Sequence, residues 1–256
     1  THRVFSRNTS SSRAIPVLSN IQQIKNSPFI PKQWIKNDKG MYNDQEIIDN
    51  NINIVRNLWL NSLSFNSDVA EELSNYKLHK QYANRLLEPF MYVDTILSGT
   101  EFNNFFNLRL GKDAQPEIRE LAKCMYEQYI NSEPQELCYN QWHLPYIDTE
   151  FLSNGEVKYS VNNTEISLND AIKVSVSCCA QVSYRKLDTS IDKSIDIYNK
   201  LTTGSKLHAS PFEHIATPFS KLEYKARTNA KHSLIDTLHN SLSSVDLNAL
   251  MYKRNF

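Results

Sequence analysis

Side chains able to do chemistry gather in four places. The first is the N-terminal stretch THRVFSRNTSSSRA, which holds His2, Arg3, Ser6, Arg7, Asn8, Ser10, Ser11 and Arg13. A guanidinium offers phosphate oxygens a planar two-pronged fork, and serine hydroxyls and backbone N–H groups satisfy the oxygens left over. This group suits a phosphate monoester, and the same composition equally describes a solvated, frayed terminus. The second place is Arg85 with Arg109, both inside apolar-rich segments. An arginine between Asn107-Leu108 and Leu110 is expected to be at least partly buried and to need an anionic or carbonyl partner. A ligand, or an internal ion pair with Glu88 or Asp113, meets that need. The third place is His208-Ala209-Ser210-Pro211-Phe212-Glu213-His214. Its two histidines lack HExxH spacing, so zinc is not expected, and the polar groups suit the edge of a cofactor. The fourth is the run from Cys178 to Tyr184. A nucleophilic cysteine needs a base and an electropositive niche, and the neighbouring sequence supplies neither, so these thiols are expected to pack. There is no GxSxG to support a hydrolase triad.

Composition narrows the classes further. The chain has 256 residues, 40% hydrophobic and 22% charged, enough for one full-sized domain or two small ones and too apolar for wholesale disorder. Lys+Arg and Asp+Glu both number 28, so the net charge is zero, which disfavours a basic nucleic-acid-binding domain. No apolar run approaches the ~18 residues of a membrane span, and no signal peptide is visible, so a cytoplasmic protein is expected. Five glycines, with neither GxGxxG nor GxxxxGK[ST], argue against a glycine-rich phosphate loop. Cys124, Cys138, Cys178 and Cys179 show no CxxC spacing and read as reduced thiols. The chain starts at Thr1, which suggests processing or a missing part of the gene product.

Elements must hold these groups in place. Residues 1–14 show neither period and read as a loop; residues 15–43, with Pro16, Pro28 and Pro31, read as an extended wrap. Ile48, Ile52, Val55 and Trp59 line one face of a helix expected from about Asp44 to Leu63. Further helices are expected over 68–76, 80–88, 101–108 and, with Asp113 as cap and Pro116 in the first turn, up to about Asn131. The last of these carries the stripe Ile118, Leu121, Ala122, Met125 and Tyr129. Met91–Leu97 is ambiguous between helix and strand. A connector over 132–155 precedes a strand at Val157–Val161. Ser167 caps a helix reaching Cys179, and a helix over 191–201 stops before Gly204. The stretch from Leu207 to Phe219 reads as loop with a short helix or turn, and the last ~30 residues give mixed signals.

Read together, these pieces resemble the flavin-dependent thymidylate synthases, whose signature has the form RHRxxSxNxxSxRY. Thr1-His2-Arg3, seven further residues and Ser11 follow its Arg-His-Arg-x7-Ser core, with Ser6, Asn8 and Arg13 in register. The family's NFLNLR…AQ…EI stretch is similar to Asn104-Phe105-Phe106-Asn107-Leu108-Arg109 with Ala114-Gln115 and Glu117-Ile118. Its ARVS and PFEH elements are similar to Ala180-Gln181-Val182-Ser183 and Pro211-Phe212-Glu213-His214. The family's usual order puts these two before the signature; here they follow it, a permuted arrangement like that of phage-type members. Thr1 stands for the first Arg, Thr9 for the acidic residue, Ala14 for the Tyr and Gln181 for the Arg of ARVS. Ser98 and Thr100 stand at polar flavin contacts, and the strand leading into the signature is expected to be missing.

The resemblance implies an α+β fold in a single domain over 1–256, an antiparallel or mixed sheet with a helical segment. Residues 1–131 would be the phosphate-loop and helical half, and 156–256 the flavin-contacting half. It implies FAD as cofactor, NADPH and methylenetetrahydrofolate as co-substrates, and dUMP as the substrate methylated to dTMP. Ser11, Arg13 and Arg85 would bind the phosphate and sugar of dUMP. Arg109 would bind the pyrimidine carbonyl edge and serve catalysis by stabilising charge on the ring. His2, Arg3, Asn104, Ser183, His208, Ser210 and Glu213 would hold FAD. A homotetramer with shared active sites is implied; neither a membrane nor nucleic acid is an expected partner. A pyrimidine-nucleotide hydroxymethylase, a non-catalytic nucleotide-binding homologue and a half-enzyme completed by a second polypeptide are the alternatives.

Overall fold

A strand opens the described part of the chain where the sequence reads as loop. A computed structural model describes residues 5–37, 39, 45–47, 50–203 and 208–219. Strand β1 (Phe5–Thr9) pairs antiparallel with β2 (Thr95–Gly99), Arg7 opposite Leu97 and Thr9 opposite Thr95. No alternation of apolar residues marks β1, because its buried position is taken by a polar side chain, Asn8. The same pairing resolves the ambiguous 91–97 segment in favour of a strand.

The chain divides into two compact bodies, Thr1–Pro134 with Leu144–Ile215, and Gln135–His143 with Ala216–Phe256. In the first, α1 (Val17–Asn26) replaces the expected wrap. Its prolines bracket the helix instead of breaking it, Pro16 just before the first turn and Pro28 just beyond the end. Val17, Ile21 and Ile24, at i, i+4 and i+7, are buried. The two helices expected over 44–63 and 68–76 are one, α2 (Asn50–Asn75); Asp44 and Ile48 lie outside the described residues. The polar residues between them bond back to the helix itself, Ser67 Oγ donating to the Leu63 carbonyl at 2.8 Å and Asn66 Nδ2 to that of Ser62 at 2.7 Å. The helix expected over 80–88 shortens to α3 (Lys80–Ala83) followed by 3-10 turns at Asn84–Leu86 and Glu88–Phe90, where Pro89 removes a donor. Leu63, Ala70, Ala83, Leu87 and Phe90 close over the α1 face. Trp59 packs against them and donates its indole N–H to the Phe29 carbonyl at 3.0 Å.

Helices α4 (Asn103–Arg109) and α5 (Pro116–Asn131) meet through aromatic rings. Phe106 lies 5.1 Å from Tyr126 and 5.5 Å from Tyr129, and Phe5 of β1 joins at Phe102. Gly99 permits that approach, since a Cβ there would come within 2.4 Å of the Phe5 ring. Gln115, not Asp113, occupies the N-cap position of α5. Only Ala122 of the expected α5 stripe is buried; Leu121 and Tyr129 are exposed.

The expected connector over 132–155 contains β3 (Asp148–Phe151), the edge of an antiparallel β3–β4–β5 sheet with β4 (Val157–Val161) and β5 (Thr164–Ile166). Helix α6 (Leu168–Gln181) starts as expected at Ser167, whose Oγ receives the Asp170 N–H at 3.2 Å and donates to its carboxylate at 2.7 Å. Val174 and Cys178 bury against Val161, and Ile191 at the start of α7 (Ile191–Thr202) completes that core. A final 3-10 turn spans Ser210–His214. Both sheets are antiparallel, which makes the fold α+β. Gly204 and the last ~30 residues lie outside the described residues.

In the second body, His143 and Ala216 exchange both backbone hydrogen bonds, at 2.8 and 3.1 Å, and Thr217 Oγ1 donates to the Gln141 carbonyl. No helix among the described residues is long and apolar enough to cross a membrane.

Candidate functional site

The segment after β1 is held from three directions. Ser10 N–H donates to the Asp94 carbonyl at 2.9 Å, and Asp94 N–H returns a bond to Ser10 Oγ at 3.1 Å. Asn8 Nδ2 donates to the Cys179 carbonyl at 3.1 Å, and Ser11 N–H to the Ser183 carbonyl at 3.0 Å, which ties the segment to the end of α6. Asn84, fully buried, donates to the carbonyls of Ser12 at 2.8 Å and Ile15 at 2.9 Å, while Lys80 Nζ donates to that of Ala14 at 2.6 Å. Residues whose composition suggests fraying are thus fixed by partners 66 to 171 residues away in sequence. Ser11 Oγ accepts the Arg13 N–H at 3.2 Å and keeps its own proton to donate.

Two cavities flank this segment and share Asn8, Ser11, Arg13 and Ser183 as a common wall. One, of about 610 Å³, is completed by His79 and Lys80 at the start of α3, by Ala180 and Tyr184, by Leu201, and by His208, Ser210 and Pro211. The other, of about 430 Å³, adds Arg7, Ser10, Ser12, Gln81, Arg85 and Glu88. Both volumes fall in the range of small-molecule sites, ~300–1,000 Å³. The smaller cavity is lined by hydroxyls and guanidiniums, a lining for an anion. The larger carries hydroxyls, two imidazoles, the cations of Arg13 and Lys80, and the ring of Tyr184, 63% exposed, a lining for a planar heterocycle with polar edges.

The end of α6 is built to aim Ser183 and Tyr184. Gln181 is buried and lines neither cavity: its Nε2 donates to Ser177 Oγ at 3.0 Å and the Asp188 carbonyl at 2.8 Å, and its Oε1 accepts the Asp188 N–H at 2.7 Å. Arg185 follows in the left-handed region, φ 52°. Its guanidinium donates to Asn20 Oδ1 at 3.3 Å, to Gln23 Oε1 and to the Tyr92 carbonyl at 2.9 Å, and lies 3.6 Å from the Asp94 carboxylate. Arg185 thereby ties the turn after Ser183 to the residue that also receives Ser10. Cys178 and Cys179 are buried free thiols, and burial pushes each up to about 12, with Asp188 adding to the effect at Cys178 and Cys178 at Cys179. They are packing groups, as expected. His214 is buried, its Nδ1 2.9 Å from Ser98 Oγ; burial lowers its pKa from the ordinary value, opposed by Glu213.

Of the residues singled out from sequence, Ser11, Arg13, Arg85, Ser183, His208 and Ser210 line these two cavities. Asn104, Arg109 and Glu213 line neither. Asn104 and Arg109 lie on α4, and both are exposed. Arg85 is exposed as well, and neither arginine makes an ion pair with Glu88 or Asp113. The expectation that Arg109 is at least partly buried is therefore corrected, and of the two partners left open the internal ion pair is not formed: Arg85 follows a buried Asn84 in a 3-10 turn and is exposed, and Arg109 sits at the exposed end of a short helix. His2 and Arg3 lie outside the described residues. His208 and His214 join no group of three or more metal-ligating side chains among the described residues. His79, Lys80, Asn84 and Arg185 escaped sequence reasoning. None of them belongs to a motif, and a lone Asn or Arg carries no signal of the carbonyls it will meet.

A family model described as thymidylate synthase complementing protein matches residues 1–135, just over half of the chain. The match includes Ser11, Arg13, Arg85, Asn104 and Arg109; Ser183, His208, Ser210 and Glu213 lie beyond it. No curated protein and no solved structure matches the chain significantly.

Proposed function

Because the chain belongs to the thymidylate synthase complementing protein family, we propose that it is a flavin-dependent thymidylate synthase that methylates dUMP to dTMP, with methylenetetrahydrofolate as carbon donor and NADPH as reductant. The observation that carries this reading is the common wall of the two cavities, where Ser11 and Arg13 from the N-terminal segment meet Ser183 from the end of α6. One side of that wall is cationic and hydroxylated, and the other offers an exposed aromatic ring with two imidazoles. In this reading the motif order is permuted relative to the usual family order.

The residues present fit the two ligands. Arg13, Arg85 and Ser11 would take the phosphate of dUMP, with guanidinium forks and a free hydroxyl proton. Ser183, His208 and Ser210 would hold polar edges of FAD beside the Tyr184 ring. Bound flavin supplies hydride transfer, a chemistry that protein side chains lack. The chain's own task is orientation: the Asn84, Lys80 and Asp94 contacts hold Ser11 and Arg13 before any ligand arrives. Arg109, as a fixed cation at the pyrimidine carbonyl edge, would stabilise charge developing on the ring. Because Asn104 and Arg109 are exposed on α4 and line neither cavity, we assign them to the site of a second copy in a homotetramer. The exposed Leu121, Tyr129 and Ile130 of the neighbouring α5 favour such a contact.

The visible absorption spectrum of the purified protein tests this. An oxidised-flavin band, present on purification or after adding FAD, is expected, together with dUMP-dependent NADPH oxidation when folate is supplied. Protein that remains colourless with added FAD would falsify the reading.

A further inference from the structure

Arg7 has no place in the signature-derived assignments, yet it lines the smaller cavity with Arg13 and Arg85. All three are exposed, and none has a side-chain hydrogen bond or ion pair among the described residues. One carboxylate, Glu88, faces them, so three cations against one anion leave a local excess of two positive charges. A phosphate monoester carries about −1.5 to −2 at neutral pH, which matches that excess. Position on the strand adds to the argument. Asn8 turns inward to the Cys179 carbonyl, and β1 alternates its side chains, so the residue before it lies on the opposite, solvent side. β1 is hydrogen-bonded to β2 along its length, so the guanidinium hangs from a fixed backbone.

Resting on the dUMP reading above, we propose that Arg7 is a third phosphate-binding guanidinium, which makes the smaller cavity selective for a doubly charged phosphate monoester over the uncharged nucleoside. Arg13 and Arg85 alone would leave a charge excess of one, suited to a singly charged anion. Arg7 supplies the difference.

Calorimetric titrations of the full chain with dUMP, deoxyuridine and inorganic phosphate test this in wild type, Arg7→Gln and Arg7→Lys. Loss of one charge-assisted hydrogen bond predicts dUMP binding roughly 10-fold weaker or worse in Arg7→Gln, with deoxyuridine unchanged and Arg7→Lys in between. Wild-type affinity for dUMP should fall on acidification through the second phosphate ionisation, about pH 6, and fall less steeply in Arg7→Gln. Arg7→Gln binding dUMP as tightly as wild type overturns the proposal, and so does an equal loss of deoxyuridine, which marks a collapsed strand. Wild type that binds inorganic phosphate through Arg7 but not dUMP retains Arg7 as an anion ligand and removes the uridylate reading instead. Wild type that binds neither overturns both.

Discussion

Restoring the family's arginine at Gln181 should damage this protein. The resemblance to ARVS makes Gln181→Arg look like a repair, yet the residue is 5% exposed, and both its amide nitrogen and its amide oxygen are hydrogen-bonded. An arginine can still donate to Ser177 Oγ and the Asp188 carbonyl, but it has no acceptor for the Asp188 N–H, now bonded at 2.7 Å. An orphaned, partly buried donor costs about 1–3 kcal/mol, and burying the guanidinium adds a desolvation cost that the solvent-screened Asp188 carboxylate nearby offsets only in part. We expect a net loss of about 2–4 kcal/mol, which for a chain of this size lowers Tm by roughly 5–15 °C. Thermal unfolding followed by far-UV circular dichroism reads this directly, and activity at a permissive temperature should stay at or below wild type. A variant that melts with wild type and turns over faster would refute the reasoning, because Gln181 would then have to face the ligand and not the Asp188 loop.

Other outcomes follow from the same geometry. Arg109→Ala should abolish turnover while leaving the flavin band, since its exposed side chain makes no hydrogen bond or ion pair among the described residues; near-normal turnover would remove its catalytic assignment. Arg13→Ala should mainly weaken dUMP, by about 10-fold or more, with flavin affinity little changed, as measured by dUMP titration against the flavin absorbance. Stability should also fall in acid through His214. Its folded pKa lies below the ordinary value near 6.5 because burial disfavours the charged ring, so the unfolded chain binds the proton first. Stability is therefore lost as pH drops below about 6.5, and the loss levels off once the folded imidazole also protonates. Urea titrations across that range should show a shallower dependence in His214→Asn, whose amide can still meet Ser98; an unchanged slope would assign the acid sensitivity elsewhere.

Local signals explain what was legible. Helix α6 begins at Ser167 because hydroxyl, carboxylate and first-turn amides lie within four residues of one another, and β4 matches Val157–Val161 because its bulky residues cluster there. Helix α1 and strands β1 and β3 escaped because their evidence is elsewhere. Pro16 and Pro28 look like breakers until a helix is seen between them. Nothing in Phe5–Thr9 announces a strand without Thr95–Gly99 beside it. Arg109 is exposed where partial burial was expected for a related reason: apolar neighbours in sequence do not bury a side chain at the exposed end of a short helix.

Residue types and spacing alone were enough to single out Ser11, Arg13, Arg85, His208 and Ser210, because guanidinium, hydroxyl and imidazole carry their chemistry wherever they stand, whereas Ser183 entered only through the resemblance to ARVS. Their convergence on two cavities with a shared wall, and the absence of Asn104, Arg109 and Glu213 from both linings, was decided by tertiary contacts. A carbonyl at Ser12 or Cys179 becomes an anchor only when Asn84 or Asn8 arrives from a distant segment, and burial then makes that bond costly to break.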